Sequence, residues 1–196
     1  VGFLSTSLVQ SGGRFGRTQE NGNCGAQKMG TAWRDMEIPA LMRSGTFTSA
    51  QWHRIPVIVI PGNHEDEIEL KQLCKKFGFL YLHNGYYRMG NYLFIGHGGG
   101  GFSLRDEDFE NVAKKSKKII KKNDKVVLIT HAPPYGTKLD SLPMGYVGCK
   151  SFTKFIKEVK PIVHISGHLH ETAGITDKIG NTKLINVSLK GRIIEI

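Results

Sequence analysis

Three short segments of the sequence carry side chains that can bind metal, and each follows a run of apolar residues. They read Gly-Asn-His-Glu at 62–65, His-Ala-Pro-Pro at 131–134 and Gly-His-Leu-His at 167–170. Imidazole nitrogen is a good ligand for zinc, manganese, iron or nickel, and a carboxamide oxygen adds a neutral, hard ligand. Two such metals side by side can clamp a phosphoryl group and make hydroxide from bound water. A rim of several histidines therefore has a physical use in handling phosphate.

The apolar runs before these segments are the elements that must position them. Residues 57–60, 126–130 and 162–166 are rich in Val, Ile and Leu, which is typical of strands buried on both faces. Ligand sites in open α/β sheets gather at the carboxyl ends of strands. Each loop alone is a weak signal, because a single loop histidine is usually structural. All three loops in this order, each after a buried strand, predict that their side chains converge on one point.

The pattern from residue 55 onward predicts a layered α/β domain. Helical patterns alternate with apolar runs, and hairpins follow near the end of the chain. A helix over 65–77 begins with acidic residues and ends with basic ones, which matches the helix dipole. The other predicted helices are 106–122 and 151–159, and the other predicted strands are 79–82, 86–89, 92–96, 175–179, 182–187 and 189–196.

As a set, the three loops resemble the third, fourth and fifth motifs of the calcineurin-like metallophosphoesterases. The usual forms of those motifs are Gly-Asn-His-Asp/Glu, Gly-His-x-Pro and Gly-His-x-His. The resemblance covers residues 55–196, and the compact length is similar to that of the small prokaryotic, particularly archaeal, phosphoesterases of the family. It implies a four-layer α/β/β/α sandwich, with N-terminal strands that are atypical or missing here.

The resemblance also implies roles for individual residues. Asn63, His131 and His168 would bind the second of two divalent transition metals (manganese, nickel, iron or zinc), and His170 would bind the first. His64 would not bind metal but would lie beside the substrate, to stabilise the transition state or protonate the leaving oxygen. The implied reaction is hydrolysis of a phosphomonoester or phosphodiester, on a small molecule or nucleotide, by metal-activated water.

The sequence departs from the family pattern upstream of these motifs. An intact member has a strand ending in Asp-x-His and another ending in Gly-Asp, and neither motif occurs here. The nearest upstream residues, Asp35, Glu37 and His53, lack the right context. Without the bridging carboxylate, two dications repel with less anionic compensation, so we expect weak or single-metal binding and little turnover. A non-catalytic phosphate- or nucleotide-binding module and a structural zinc protein are the competing hypotheses.

The composition changes abruptly near residue 54. Residues 1–54 contain five Arg and one Lys, whereas residues 55–196 contain three Arg and 18 Lys. The first part holds one Ile and the second holds 17. We therefore divide the chain at this point into an atypical segment, 1–54, and a phosphoesterase domain, 55–196. Three interpretations of the segment stay open: a loosely packed extension, a divergent part of the domain, or a foreign or out-of-frame translation.

Several further residues near the loops are candidates for lesser roles. His97 follows a predicted strand and precedes four glycines, so it could line the substrate pocket while backbone N–H groups approach phosphate. Tyr135 and Asp140 follow the second loop and could border the same pocket. His164 alternates within a predicted strand, which favours a packed core residue. Glu171 follows the double-histidine loop and could orient a ligand.

Charge and cysteine content constrain partners and compartment. The formal net charge is +10 and the pI is about 9.6, a field that attracts phosphates and acidic surfaces. Nucleic-acid binding lacks support, because the lysine run at 114–122 has no interleaved aromatic residues. Three distant cysteines indicate a reducing cytoplasm rather than a disulfide framework. No apolar run approaches the roughly 18 residues of a membrane span, so we expect no membrane partner, and the oligomeric state stays open.

Overall fold

The structure is a computed structural model that describes residues 56–99, 101–188 and 192–196. The segment 1–54 lies outside the described residues, and so do the upstream candidates Asp35, Glu37 and His53. The described chain is a mixed α/β structure, as predicted. None of its helices is long and apolar enough to cross a membrane.

Ten strands and three α-helices make up the described chain. The strands are β1 (Ile58–Val59), β2 (Leu80–Tyr81), β3 (Gly85–Met89), β4 (Tyr92–His97), β5 (Lys125–Thr130), β6 (Ser141–Leu142), β7 (Gly145–Tyr146), β8 (Val163–Ser166), β9 (Thr176–Ile179) and β10 (Thr182–Asn186). The helices are α1 (Glu67–Phe77), α2 (Glu107–Ile119) and α3 (Lys150–Val159), and a 3₁₀ turn spans His170–Thr172.

The main sheet has six strands in the order β3-β4-β5-β8-β10-β9. Its four central strands are parallel, and an antiparallel strand pairs with each outer side. The carboxyl ends of β4, β5 and β8 therefore lie next to one another at one edge. The register pairs His97 with Thr130 and Ile129 with Ile165, so the loops that follow these strands begin at the same level.

Alternate residues of the central strands pack on opposite faces of this sheet. Val126 and Leu128 of β5 belong to a buried cluster that includes Phe109 of α2 and Phe155 of α3. Val127, between them, belongs to a second cluster with residues of β1 and β10. A third, smaller cluster joins the other face of β1 to α1. The packing is that of a layered domain, and the count of four layers stays a prediction.

The helices begin and end where their capping groups dictate. The Asp66 side chain accepts hydrogen bonds from the N–H groups of Ile68 and Glu69, so α1 begins after it rather than at the predicted residue 65. Helix α1 ends at Gly78, whose φ of 70° suits glycine. Helix α2 ends three residues earlier than predicted, because Ile120 is extended and the Asp124 side chain accepts from the N–H of Lys121.

The strands differ from the prediction in two places. Residues 189–196 were expected to form a closing strand, but within 192–196 the backbone forms only a β-bridge at Ile194. The short hairpin β6–β7 was not expected, because its strands are two residues long and carry no alternating pattern. The loop that holds it is organised by Asp140, a fully buried carboxylate that accepts from the N–H groups of Gly136, Thr137 and Gly148.

Candidate metal centre

The site begins with two histidines on neighbouring strands. His131 follows β5 directly, and His168 lies two residues beyond β8. Because β5 and β8 are adjacent and parallel, the two loops run side by side, and the N–H of Gly167 donates to the carbonyl of His131 at 2.9 Å. His168 Nδ1 lies 3.0 Å from His131 Nε2. The sheet order thus joins two motifs that lie 37 residues apart in sequence.

Asn63 reaches the same point from the loop after β1. Its Oδ1 lies 2.9 Å from His131 Nε2, and its Nδ2 lies 3.2 Å from His64 Nε2. The loop is held against the main sheet by a backbone hydrogen bond from Gly99 to the carbonyl of Pro61, at 2.9 Å. We call Asn63, His131 and His168 the ligand trio, because one oxygen and two ring nitrogens face one another at hydrogen-bond distance.

The ligand trio fits a single divalent cation. Asn63 Oδ1 can only accept a hydrogen bond, and His131 Nε2 and His168 Nδ1 each have either a lone pair or one proton to offer. Few protons are therefore available to separate the lone pairs of these three atoms, which repel one another. A bound cation would relieve that repulsion by accepting the lone pairs. Neighbouring ligands at about 2.1 Å from an octahedral metal are roughly 3 Å apart, and the trio spacings of 2.9 and 3.0 Å agree. A mixed nitrogen and oxygen set suits transition metals.

Both imidazoles of the ligand trio are neutral near pH 7. Burial, followed by electrostatic interaction with the neighbouring His168 and His64 rings, lowers the pKa of His131 to about 4. Burial, followed by the charges of His170 and His64, also lowers the pKa of His168. Neutral imidazole is the form that binds metal, so the local environment prepares both rings as ligands.

His64 and His170 lie at the margin of the ligand trio. The exposed His64 ring contacts the Asn63 amide, as described above. His170 is exposed at the start of the 3₁₀ turn and acts on His168 through its charge. The structure therefore joins His64, Asn63, His131 and His168 in a continuous chain of contacts, and no contact of the His170 side chain with this chain is observed among the described residues. In the described residues, no three His, Cys, Asp or Glu side chains form a metal cluster.

The backbone of His168 has an uncommon conformation. Its φ is 68°, a left-handed value that is costly for a residue with a side chain. Strain of this kind persists where the surrounding structure holds it, and it concentrates at functional sites. His168 Nε2 is buried, and no hydrogen-bond partner for it is present in the described chain. A proton on that nitrogen leaves the Nδ1 lone pair directed at the rest of the ligand trio.

The end of β4 and the loop that follows it contact all three loops that carry the candidate ligands. Gly99 bonds to Pro61, as noted, and the carbonyl of His97 accepts from the N–H of His131 at 3.1 Å. The ring of Phe102 meets that of His168 edge to face, with centroids 4.8 Å apart. Sequence reasoning passed over Phe102. The sequence feature that could have indicated it is the glycine run 98–101, which directly precedes Phe102 and follows β4 of the same sheet.

The ring of His97 belongs to a different cluster. It is buried, with Nδ1 2.6 Å from Asn84 Oδ1 and Nε2 2.8 Å from Asp106 Oδ2. These contacts support a positioning role, through the backbone of His97, rather than contact with a substrate. His164 is fully buried, as predicted for a core residue. Tyr135 lies against Lys150, whose Nζ is 4.7 Å from the tyrosine ring centroid.

Comparison with known proteins places this site in a family. A sequence model of the family described as calcineurin-like phosphoesterase matches residues 22–172. The match begins within the segment 1–54 that composition sets apart. It also spans the loops of the ligand trio, so family membership and site geometry concern the same part of the chain.

Individual relatives agree with the family match. The uncharacterized protein MJ1162 of Methanocaldococcus jannaschii is 31% identical over 147 residues, which cover 70% of this chain and 66% of that protein. The human metallophosphoesterase domain-containing protein 1 is 39% identical over 66 residues, which cover 32% of this chain and 20% of that protein. This chain thus spans two thirds or less of the length of these relatives.

Solved structures share the fold. The protein TT1561 of Thermus thermophilus superposes with a TM-score of 0.55 at 14% identity, over 73% of this chain and 71% of that one. At this identity the likeness concerns the fold alone, and the family match carries the further conclusion. The chain therefore belongs to the calcineurin-like phosphoesterase family, a family of metal-dependent phosphoesterases.

Proposed function

We propose that this protein is a metal-dependent phosphoesterase that hydrolyses phosphomono- or phosphodiesters at the ligand trio. The observation that carries the proposal is the convergence of Asn63 Oδ1, His131 Nε2 and His168 Nδ1, joined by contacts of 2.9 and 3.0 Å. These atoms come from loops far apart in sequence, and each loop follows a strand. A divalent cation bound there would neutralise phosphoryl charge and lower the pKa of water.

The side chains around the proposed cation position would have different roles in binding and proton transfer. His131 and His168 would hold the cation with neutral rings. Asn63 has two tasks, because its Oδ1 faces His131 while its Nδ2 donates to His64 Nε2. A neutral His64 that accepts at Nε2 carries its proton on Nδ1. That exposed N–H would then be placed to donate to a phosphoryl oxygen or to the leaving group.

A non-catalytic phosphate- or nucleotide-binding module is the second candidate function. It is favoured by the neutral character of the ligand trio, which contains no carboxylate, and by the lack of Asp-x-His and Gly-Asp from the sequence. A single cation without anionic ligands keeps a high local charge, which favours phosphate binding. A single cation also cannot stabilise the attacking oxygen and the leaving oxygen at the same time, as a pair of metals does.

The test combines metal stoichiometry with turnover. We would titrate the protein with Mn²⁺ by calorimetry and measure hydrolysis of bis-p-nitrophenyl phosphate. The variants are His168→Ala and Asn63→Ala, with Asn123→Ala as a matched control, because Asn123 lies in an exposed turn. We expect both trio variants to lose at least about tenfold in Mn²⁺ affinity and in rate, and the control to match the wild type.

Other outcomes separate the alternatives. Equal rates in the wild type and His168→Ala would reject the site assignment. Mn²⁺ and phosphate binding without hydrolysis would support the binding module. A chelator that unfolds the protein, with one tightly held zinc and no turnover, would indicate a structural metal site.

A further inference from the structure

Phe102 is both exposed to solvent and in contact with the ligand trio. Its side chain is 64% exposed, yet its ring contacts His168 of the ligand trio, with centroids 4.8 Å apart and planes inclined by 62°. Single exposed apolar residues are common on protein surfaces and usually need no explanation. This one lies against His168, a member of the ligand trio, so a phosphoryl group bound at the trio would lie close to it.

The backbone before Phe102 is built to bring the ring to this position. Gly101 has a φ of 111°, which side chains other than glycine's rarely allow. A Cβ placed on Gly101 would lie 3.8 Å from His168 Cε1, so the chain passes directly over the histidine ring. Two residues further on, Leu104 is also exposed. The exposed segment 102–104 thus presents two apolar side chains, Phe102 and Leu104.

We propose that Phe102 is a stacking platform for a planar aromatic group that is esterified to the substrate phosphate. This inference rests on the proposed function and specifies its substrate class: aryl or nucleobase-bearing phosphate esters rather than simple alkyl esters. Aromatic rings pack face to face or edge to face with centroids about 4.5–7 Å apart. The Phe102 ring contacts His168 of the ligand trio. If the phosphoryl group of a substrate binds at the trio, an aromatic group esterified to that phosphate would therefore lie beside Phe102.

The test measures binding, so that it does not depend on turnover. Phenyl phosphate and methyl phosphate carry the same charged group and differ in the ring. Their affinities for the Mn²⁺-loaded protein would be measured by calorimetry in the wild type, Phe102→Ala and Phe102→Tyr. Phe77→Ala serves as the matched control, because Phe77 is 45% exposed at the end of α1.

The wild type should bind phenyl phosphate roughly tenfold more tightly than methyl phosphate, the size of one stacking contact. Phe102→Ala should lose this preference while its affinity for methyl phosphate and for Mn²⁺ is unchanged. Phe102→Tyr keeps the ring and should keep the preference, and Phe77→Ala should behave as the wild type.

The failures are distinguishable. Equal affinity of the wild type for the two esters, or an undiminished preference in Phe102→Ala, would overturn the platform and leave the proposed function intact. Loss of Mn²⁺ affinity in Phe102→Ala would show that the ring supports His168 instead of the substrate, and would also overturn the platform. If the Mn²⁺-loaded protein bound neither ester, the proposed function itself would be wrong, and the platform with it.

Discussion

Asp106 ties the ring of His97 to the first turn of helix α2. One carboxylate oxygen lies 2.8 Å from His97 Nε2, and the other accepts the N–H of Phe109 at 2.8 Å. On its other side, the His97 ring contacts Asn84 at 2.6 Å. The backbone carbonyl of His97 accepts a hydrogen bond from the N–H of His131. A buried polar chain therefore anchors the strand end that supports the loop of His131.

This arrangement predicts a large stability effect at Asp106. Asp106→Ala removes a helix cap and leaves a buried His97 nitrogen without its partner, so we expect a loss of about 2–3 kcal/mol in the free energy of unfolding. Asp106→Asn keeps a capping oxygen and should lose less. Asp66→Ala, at the cap of α1, removes a cap without a buried histidine and should cost about 1 kcal/mol. Urea unfolding measures all three, and equal losses at Asp66 and Asp106 would contradict the role of the His97 contact.

The pH dependence of stability should report on His164. The hydroxyl of Thr130 donates to the carbonyl of Ala132, so its oxygen accepts the N–H of His164 Nε2 at 2.8 Å. His164 Nδ1 is buried, and nothing in the described part of the chain bonds to it. Burial lowers the pKa of His164 to about 3. The unfolded state, with a histidine pKa near 6.5, therefore takes up the proton first as pH falls.

It follows that His164 contributes full stability above about pH 6.5 and progressively less as the pH falls toward 3. Between pH 7 and 5.5 the expected loss is about 1 kcal/mol. His164→Gln keeps an N–H donor for Thr130 but does not titrate, so its stability should fall less over this interval. Urea unfolding of the metal-free protein at several pH values measures the difference. Parallel pH profiles for the two proteins would refute the assignment.

The packing of the residues after β4 against the loop after β1 predicts a steric effect at Gly98. A Cβ on Gly98 would lie 2.2 Å from the carbonyl oxygen of Pro61, which is backbone and cannot move aside. Gly98→Ala should cost about 1–3 kcal/mol and should weaken metal binding, because Pro61 begins the loop that carries Asn63. Gly85→Ala is the control, since its nearest contact would be 3.7 Å. Thermal unfolding with and without Mn²⁺ tests the pair.

Metal binding should stabilise the fold only when the ligand trio is complete. At a Mn²⁺ concentration of about one hundred times Kd, linkage predicts a gain of about 2.7 kcal/mol for the wild type. His131→Ala lacks the nitrogen that contacts both other trio members and should show almost no gain. Asn123→Ala should show the full gain. A gain of normal size in His131→Ala would place the metal elsewhere.

Much of the fold followed from local sequence pattern. The buried strands before the three loops, the strands on either side of the last hairpin and the three helices depend on interactions between residues close in sequence, which composition and spacing express directly. Helix ends were misplaced by a few residues, since Asp66 and Asp124 act through side-chain hydrogen bonds to the backbone that spacing alone does not predict.

The sequence by itself determined which residue types stand at the strand ends, and hence the family and the candidate ligands. Only the tertiary structure decided that Asn63 meets His131 across 68 positions, and that Phe102 comes to lie on His168. The physical reason is that the order of parallel strands in a sheet is set by long-range packing of both faces. No local pattern encodes which two loops become neighbours.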